Sequence, residues 1–264
     1  TLEVIEEMKK AAPKELAAAK KKRNLKPAEM KDWAEKARKM RTQYDRKTEM
    51  IEQHDGFYDL PHIDVSKISP EELPLYYHWA YLRIFRYDMI KQPDVLLLPF
   101  FFSNDYSMKC KKVNYEYYEP RCSHESSLSP AVHSIMAAEL GKHKEAYDYF
   151  GHATRLDLDN YNRNTDAGLH TTSMAGAWMN IVQGFGGMRT DGDVIDFNPS
   201  IPKKWKSFTF RLLYRGSVLE VKVTKKDVTF TVTEGEPISI RVFGKKTKVS
   251  GDGTTVKLPA GRKG

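Results

Sequence analysis

A serine-rich segment at residues 118–130 carries side chains suited to holding an oxyanion. Ser126 and Ser127 stand in it, just before Pro130 opens a stretch with apolar residues at helical spacing. The amino terminus of a helix presents free backbone N–H groups and a partial positive charge, so hydroxyl groups beside it favour phosphate. The alternative is capping, in which Ser127 or Ser129 only closes the helix end.

A second polar segment, residues 168–176, places a histidine at another predicted helix start. His170 is followed by Thr171 and Thr172, and the small residues after them favour close helix packing. A protonated histidine and two hydroxyls in this position would donate hydrogen bonds to a phosphate oxygen. The alternative is a histidine with a purely structural role.

Lys91 and Gln92 form a third polar group, again ahead of a predicted helix. A lysine offers donors only, whereas a glutamine offers donors and an acceptor, and together they suit the hydroxyl groups of a sugar. All three groups fall in loops of a helical region. Loops on a rigid scaffold are where binding groups collect, so we expect them to form one site.

The sequence predicts no metal centre. His133 and His143 have no partner at ligand spacing, and Cys110 and Cys122 lack the spacing of a zinc site. Two cysteines are also too few for a disulfide framework, so we interpret them as free thiols of a protein in the reducing cytoplasm. The longest apolar run, residues 95–102, is too short to span a membrane, so no membrane partner is predicted.

The formal net charge of +8 raises the possibility of a nucleic-acid or other anionic partner. The basic residues concentrate in residues 9–47 and from Lys245 onward, where they alternate with acids or flank turns. Such patterns are typical of solvated helix and hairpin faces, and the sequence has no recognised nucleic-acid-binding motif. We therefore predict no nucleic-acid partner.

Apolar residues recur at helical spacing through most of residues 1–190. Long polar loops join these stretches, and Gly141 follows one of them as a helix-ending glycine would. Paired helices with long loops indicate an α/α arrangement. The predicted helices cover residues 2–8, 26–50, 76–87, 94–102, 130–140, 144–154 and 171–184.

The pattern changes after Arg189. From Phe208 onward apolar and polar residues alternate with period two, which predicts antiparallel strands. We therefore predict a domain boundary near residue 190, with a helical part at 1–190 and a β-sheet part at 191–264. The predicted turns lie at Arg215–Gly216, Lys225–Asp227 and Glu234–Gly235.

Five longer stretches occur in a fixed order along the chain: QHDGFYDL, IKQPDV, YYEPRCSHESSLSPAVHSIMAAELG, ATRLDLDNYNRNTDAGLHTTSMAGAWMNIVQGFGGMR and FNPSIPKKW. Together they resemble glycoside hydrolase family 65, which includes maltose, nigerose, kojibiose and trehalose phosphorylases. The resemblance runs from about residue 50 to residue 240. Several long motifs in the family's order make it specific.

The resemblance implies a mainly α fold: the second half of an (α/α)6 barrel followed by a small antiparallel β-sheet domain. It also implies inverting phosphorolysis of an α-linked glucosyl disaccharide to β-glucose 1-phosphate and a free sugar. Such an enzyme needs a carboxylic acid for the leaving oxygen, while phosphate is itself the nucleophile. No cofactor is implied, with inorganic phosphate as the co-substrate and the disaccharide as the other partner.

The family's binding residues can be carried over onto the groups already described. Lys91 and Gln92 match the Lys-Gln pair of the glucose subsite. Ser126 and Ser127 match the serines near phosphate. His170 matches the histidine that contacts phosphate.

The family's general acid is a Glu in a DEYH-like motif that precedes every motif seen here. Residues 1–264 contain no such motif, so we assign no catalytic residue to this chain and expect the acid upstream of Thr1. We expect a fragment, or one chain of a split enzyme, that is active only with the missing amino-terminal segment. The resemblance further implies a homodimer, and it places Glu125 on the acceptor side or behind the site.

Two other functions stay open. An inverting α-glucosidase or trehalase of the same family would need a carboxylate base in place of the phosphate site. A non-catalytic carbohydrate-binding fragment would be favoured if the complete gene also lacked the upstream Glu.

Overall fold

The computed structural model describes residues 2–264, and the chain divides into two compact units, Thr1–Gln43 and Tyr44–Gly264. The described residues of the first unit form three helices, in which α1 contacts both of the others. Prolines begin α2 and α3, as suits a first helical residue whose N–H has no intrahelical partner. These helices are α1 (Leu2–Ala11), α2 (Pro13–Lys22) and α3 (Pro27–Lys39).

The second unit begins with seven further helices among its described residues. The most deeply placed is α8, of which every residue except Glu139 is buried. The last of them, α10, continues as a π-helical segment at Asn180–Phe185. They are α4 (Leu75–His78), α5 (Tyr81–Ile84), α6 (Asp94–Phe101), α7 (Met108–Tyr118), α8 (Ser129–Glu139), α9 (His143–Arg155) and α10 (Thr171–Met179).

Eight strands follow and form two four-stranded sheets, ordered β1-β2-β6-β7 and β3-β4-β5-β8. Every pairing is antiparallel except that of β2 with β6, which is parallel. The strands are β1 (Met188–Arg189), β2 (Asp196–Phe197), β3 (Ser207–Tyr214), β4 (Ser217–Thr224), β5 (Asp227–Glu234), β6 (Ile238–Val242), β7 (Lys245–Val249) and β8 (Thr254–Lys257).

A shared apolar layer joins the helices of this unit to its sheets. Trp205 packs against the sheet cluster and against the cluster around α8. Its ring lies 5.4 Å from that of Phe150, 5.1 Å from that of Phe185 and 5.6 Å from that of Phe208, in edge-to-face arrangements. The sheets therefore fix the side of the helical region on which they rest.

The predicted fold class, a mainly α chain that ends in an antiparallel-rich sheet region, is confirmed. Gly141 has a φ of +76°, which confirms it as the glycine that ends α8. The predicted boundary near residue 190 stays a prediction, although the change from helix to strand falls at β1. No helix among residues 2–264 is both long and apolar enough to cross a membrane.

Two helix predictions are wrong in extent. The helix predicted for 26–50 ends at Lys39, because the backbone at Met40 is extended. The helix predicted for 76–87 is two separate single turns, since the backbone at Trp79 is extended and its buried indole donates to Glu72. Tertiary burial of Trp79 outweighs the helical pattern here.

Candidate active site

The loop that carries Lys91 and Gln92 runs beside the serine-rich segment. Ile90 forms a parallel bridge with Cys122, and its carbonyl accepts a hydrogen bond from the Ser123 backbone N–H at 2.9 Å. This pairing brings Gln92 to Ser126, whose hydroxyl donates to the Gln92 side-chain oxygen at 2.9 Å. Two of the groups predicted from sequence are therefore in direct contact.

The serines do not cap α8. The N-cap position is Leu128, and no side chain caps it, so the capping interpretation of Ser127 and Ser129 is wrong. The Ser126 hydroxyl instead accepts from the Leu128 backbone N–H at 3.2 Å. Ser126 is buried and Ser127 half-buried, and both immediately precede the helix start.

A chain of hydrogen bonds that joins Glu119, Tyr149, His124 and Ser129 holds this segment in place. The Tyr149 hydroxyl donates to Glu119 Oε1 at 2.5 Å, so it accepts from His124 Nε2 at 2.9 Å. His124 Nδ1 then accepts from the Ser129 hydroxyl at 2.7 Å. Burial lowers the pKa of His124 to about 2, which keeps the ring neutral as this pattern requires.

Cys122, His124 and His133 bring their ligand atoms within 4.8 Å of one another around Ser129. His133 Nδ1 lies 2.9 Å from the Ser129 carbonyl, which can only accept, so this nitrogen carries a proton. Burial raises the pKa of the Cys122 thiol to about 11. Both nitrogens of His124 are engaged by Ser129 and Tyr149, and the Cys122 thiol is held protonated, so these two side chains suit a hydrogen-bonded core better than a set of metal ligands.

His170 occupies the N-cap position of α10, where Asp157 holds it in place. One carboxylate oxygen of Asp157 accepts from the His170 backbone N–H at 2.9 Å, and the other lies 2.5 Å from His170 Nδ1. These bonds hold the pKa of Asp157 below its usual value. Because a carboxylate accepts, Nδ1 donates to Asp157, and Nε2 is left for a ligand, to which it donates when it also carries a proton.

A cavity of about 330 Å³, lined mainly by apolar side chains, lies beside the predicted groups, and Gln92 is the predicted binding residue that lines it. Gln92, Leu128 and Thr172 all line it, so the Lys-Gln loop, the serine segment and the start of α10 border one space. The side-chain hydrogen bonds of His170 with other described residues run to Asp157, and none joins it directly to the serines. The structure thus brings Gln92 and Ser126 into contact, and places His170 on a neighbouring helix end.

Lys91 and Glu125 contact two neighbouring residues at the start of α4: Lys91 contacts Tyr76, and Glu125 contacts Leu75. The Lys91 ammonium lies 4.5 Å from the centre of the Tyr76 ring. The Glu125 carboxylate accepts from the Leu75 backbone N–H, and burial raises its pKa. Sequence reasoning missed Tyr76 and Asp157, for which neither composition nor spacing gave a signal.

Two family models match the chain: the glycosyl hydrolase family 65 central catalytic domain over residues 1–179, and the glycosyl hydrolase family 65 C-terminal domain over residues 188–249. The chain therefore belongs to glycoside hydrolase family 65, as the sequence motifs predict.

Several phosphorylases are similar to this chain. An α,α-trehalose phosphorylase of Thermoanaerobacter brockii is 43% identical over 92% of this chain, and a maltose phosphorylase of Bacillus subtilis (strain 168) is 40% identical over 90%. A solved structure, provisionally assigned as a kojibiose phosphorylase from the human microbiome, superposes with a TM-score of 0.82 at 44% identity over 90% of this chain. The chain spans about a third of the length of each, 32% in all three cases.

Proposed function

We propose that the protein catalyses inverting phosphorolysis of an α-linked glucosyl disaccharide, giving β-glucose 1-phosphate and a free sugar. The observation that carries the proposal is the contact between Gln92 and Ser126 at 2.9 Å beside the cavity that Thr172 also lines. Gln92, which we assign to sugar binding, thus lies next to a hydroxyl group of the segment that leads into α8. The names of the trehalose and maltose phosphorylases among its relatives support the same reaction.

In the proposed reaction, Lys91 and Gln92 hold the hydroxyl groups of the glucose unit. Ser126, Ser127 and His170 hold inorganic phosphate, and no cofactor takes part. A phosphate oxygen attacks the anomeric carbon as the glycosidic C–O bond breaks, and an acid gives its proton to the leaving oxygen. Phosphate is already anionic, so these residues act by positioning and by stabilising charge rather than as bases.

A hydrolytic reaction by the same fold would need a carboxylate to activate water. Glu125 is the acid nearest in sequence to the serines, and its carboxylate is engaged with the Leu75 backbone N–H. A carboxylate that already accepts from a backbone N–H inside the protein is poorly placed to activate a water molecule. This arrangement supports phosphorolysis over the α-glucosidase alternative.

The general acid belongs to the proposal as well, since no DEYH-like motif lies in residues 1–264. We assign it to a segment outside this chain that completes the site, which fits relatives about three times as long. A homodimer is proposed on the family resemblance alone.

The test compares two proteins: residues 1–264 alone, and a longer protein that contains them and has the full length of the relatives. Each is given maltose, kojibiose or trehalose together with inorganic phosphate. We expect β-glucose 1-phosphate from the longer protein and none from residues 1–264. Release of glucose without phosphate would identify a hydrolase. Failure of the longer protein on every α-glucosyl disaccharide, with folding verified, would overturn the proposal.

A further inference from the structure

A second cavity, of about 320 Å³ and lined mainly by polar residues, lies at the far end of α8 from the serines. Helix α8 rises about 1.5 Å per residue, so its two ends are about 15 Å apart. The cavity sits where α8, the π-helical segment and β1 and β2 meet. Its lining includes Ser103, Asn104, Glu139, Arg189, Asp196 and Arg262.

The inner wall of this cavity holds more positive than negative charge. The carboxylates among its described lining residues are Glu139 and Asp196, whose side chains are each 15% exposed, and Glu139 is shared by Lys111 at 2.6 Å and Arg189 at 2.5 Å. The side chains of Lys111 and Arg189 are only 4% and 10% exposed. Arg262 adds a third cation, whose pKa is lowered by burial and by the neighbouring Arg189. Buried charges that lack a full complement of partners are costly.

The guanidinium groups also keep unused donors. Arg189 Nη1 donates to the carbonyls of Gln183 at 2.7 Å and Met188 at 2.8 Å, but its Nε is buried with no hydrogen-bond partner among the described residues. The Arg262 contacts are long, 3.5 Å each, to the carbonyls of Ala138 and Glu139. A buried donor without an acceptor indicates an unoccupied position for one.

The acids at the outer edge have their own partners. Arg241 binds Asp193 at 2.7 Å and Asp196 at 2.8 Å. Asp191 is exposed and accepts from the Asn104 backbone N–H at 2.7 Å. Asp196 is largely shielded from solvent and is offset by Arg241, whereas solvent screens the exposed Asp191 and Asp193, so these acids offset little of the charge on Lys111, Arg189 and Arg262.

We propose that this cavity binds a tetrahedral oxyanion, either inorganic phosphate or the phosphate group of a sugar phosphate. Arginine donors match phosphate oxygens, and an anion would satisfy Arg189 Nε while it offsets the charges of Arg189 and Arg262. The site is separate from the phosphate-binding residues assigned to the reaction. It does not depend on the proposed function, because it rests on residues at the opposite end of α8.

The test titrates inorganic phosphate, and separately glucose 1-phosphate, into the 264-residue chain by calorimetry at constant ionic strength. A His170→Ala background removes one of the residues assigned to the reaction's phosphate. We expect one saturable site, weakened about tenfold or more by Arg262→Gln, because a hydrogen bond to a charged group is lost. Arg211→Gln removes the same charge from an exposed strand and should leave binding unchanged.

The two ligands distinguish the sources of the oxyanion. Tighter binding of inorganic phosphate identifies the free ion, and tighter binding of glucose 1-phosphate identifies a sugar phosphate. Absence of a saturable site, or binding that Arg262→Gln leaves unchanged, overturns the proposal. Loss of binding in the His170→Ala background itself would assign the anion to the reaction's site and would also overturn it.

A second measurement covers the case in which Arg262→Gln does not fold. The arginine side-chain N–H signals of the otherwise unaltered chain are followed by NMR during the phosphate titration, with Arg189 assigned through Arg189→Lys. We expect the Arg189 Nε–H signal to move along a saturating curve. A signal that stays in place at saturating phosphate contradicts the proposal.

Discussion

At the scale of single residues, the candidate site depends on how one acid orients one histidine. Asp157 accepts from both the backbone and the ring of His170, so the loop between α9 and α10 and the imidazole are fixed together. Sequence motifs identified His170, but not its partner thirteen residues earlier. Asp157 and His170 meet because the loop of residues 158–169 folds back between them, and no local sequence pattern predicts the course of that loop.

Replacement of Asp157 by Asn should weaken phosphate use. Asn cannot act as a negative acceptor for the ring, so His170 loses the partner that keeps Nε2 directed outward. We expect KM for phosphate to rise about tenfold or more in the full-length protein, the range seen when the supporting partner of a ligating histidine is removed. Asp159→Asn, which removes an adjacent exposed acid, is the matched control.

The readout that separates positioning from general destabilisation is a double variant. In a His170→Ala background, Asp157→Asn should have little further effect on KM for phosphate, because its action passes through the ring. An unchanged penalty in that background would contradict the positioning role.

Variants of the proposed phosphate-binding and sugar-binding residues should change the KM of different substrates. His170→Ala should raise KM for phosphate far more than KM for the disaccharide. Lys91→Ala should do the reverse, because the proposed reaction assigns Lys91 to the glucose unit. Steady-state kinetics with each substrate varied in turn provides the measurement. Equal loss on both substrates in either variant would count against the assigned roles.

At the scale of elements, helix α8 positions the site. Its first turn follows Ser126 and Ser127, and its first residue, Ser129, donates to His124. Its extent was predictable, because Pro130, the apolar spacing and Gly141 all agree. Helix α7 was not, because its sequence, MKCKKVNYEYY, has buried Lys111 and Asn114 where an apolar face is expected. Tertiary hydrogen bonds to Glu139, Glu49 and Ile51 satisfy those two side chains, and a local pattern cannot show such partners.

His133 on α8 and His124 just before it should make stability depend on pH. Burial lowers the pKa of His133 to about 4 and that of His124 to about 2, whereas an unfolded histidine titrates near 6.5. Below pH 6.5 the unfolded state binds more protons, so the free energy of unfolding falls as pH falls. The loss approaches about 1.4 kcal/mol per pH unit for each histidine.

Denaturant unfolding between pH 7 and pH 5 measures this slope above the range where most carboxylates titrate. His133→Gln should reduce the slope, since it removes one of the three histidines whose pKa burial lowers, His124, His133 and His152. His78→Gln, at an exposed position, should leave it unchanged. A wild-type chain equally stable at pH 7 and pH 5 would contradict the assignment of neutral, buried rings.

At the scale of the whole molecule, the sheets and the helical region of residues 44–264 share one apolar layer instead of meeting through a polar interface. The sequence predicted both parts from the change in periodicity near residue 190. It could not predict their packing, because Trp205 lies in a turn-rich stretch where neither helical nor strand periodicity assigns a buried face. Long-range contacts with Phe150 and Phe185 give Trp205 its role.

Removal of the Trp205 ring should therefore destabilise helices and sheets together. Trp205→Ala leaves a cavity between the two apolar clusters, and such truncations cost about 3–5 kcal/mol. Trp178→Ala removes a ring that is 54% exposed and should cost well under about 1 kcal/mol. Helix content is measured by far-ultraviolet circular dichroism, and sheet structure by the protection of the β4 amide protons from hydrogen exchange. Both should be lost at the same denaturant concentration. If the sheet amides stay protected after the helices unfold, the two regions are separate folding units and the shared layer does not couple them.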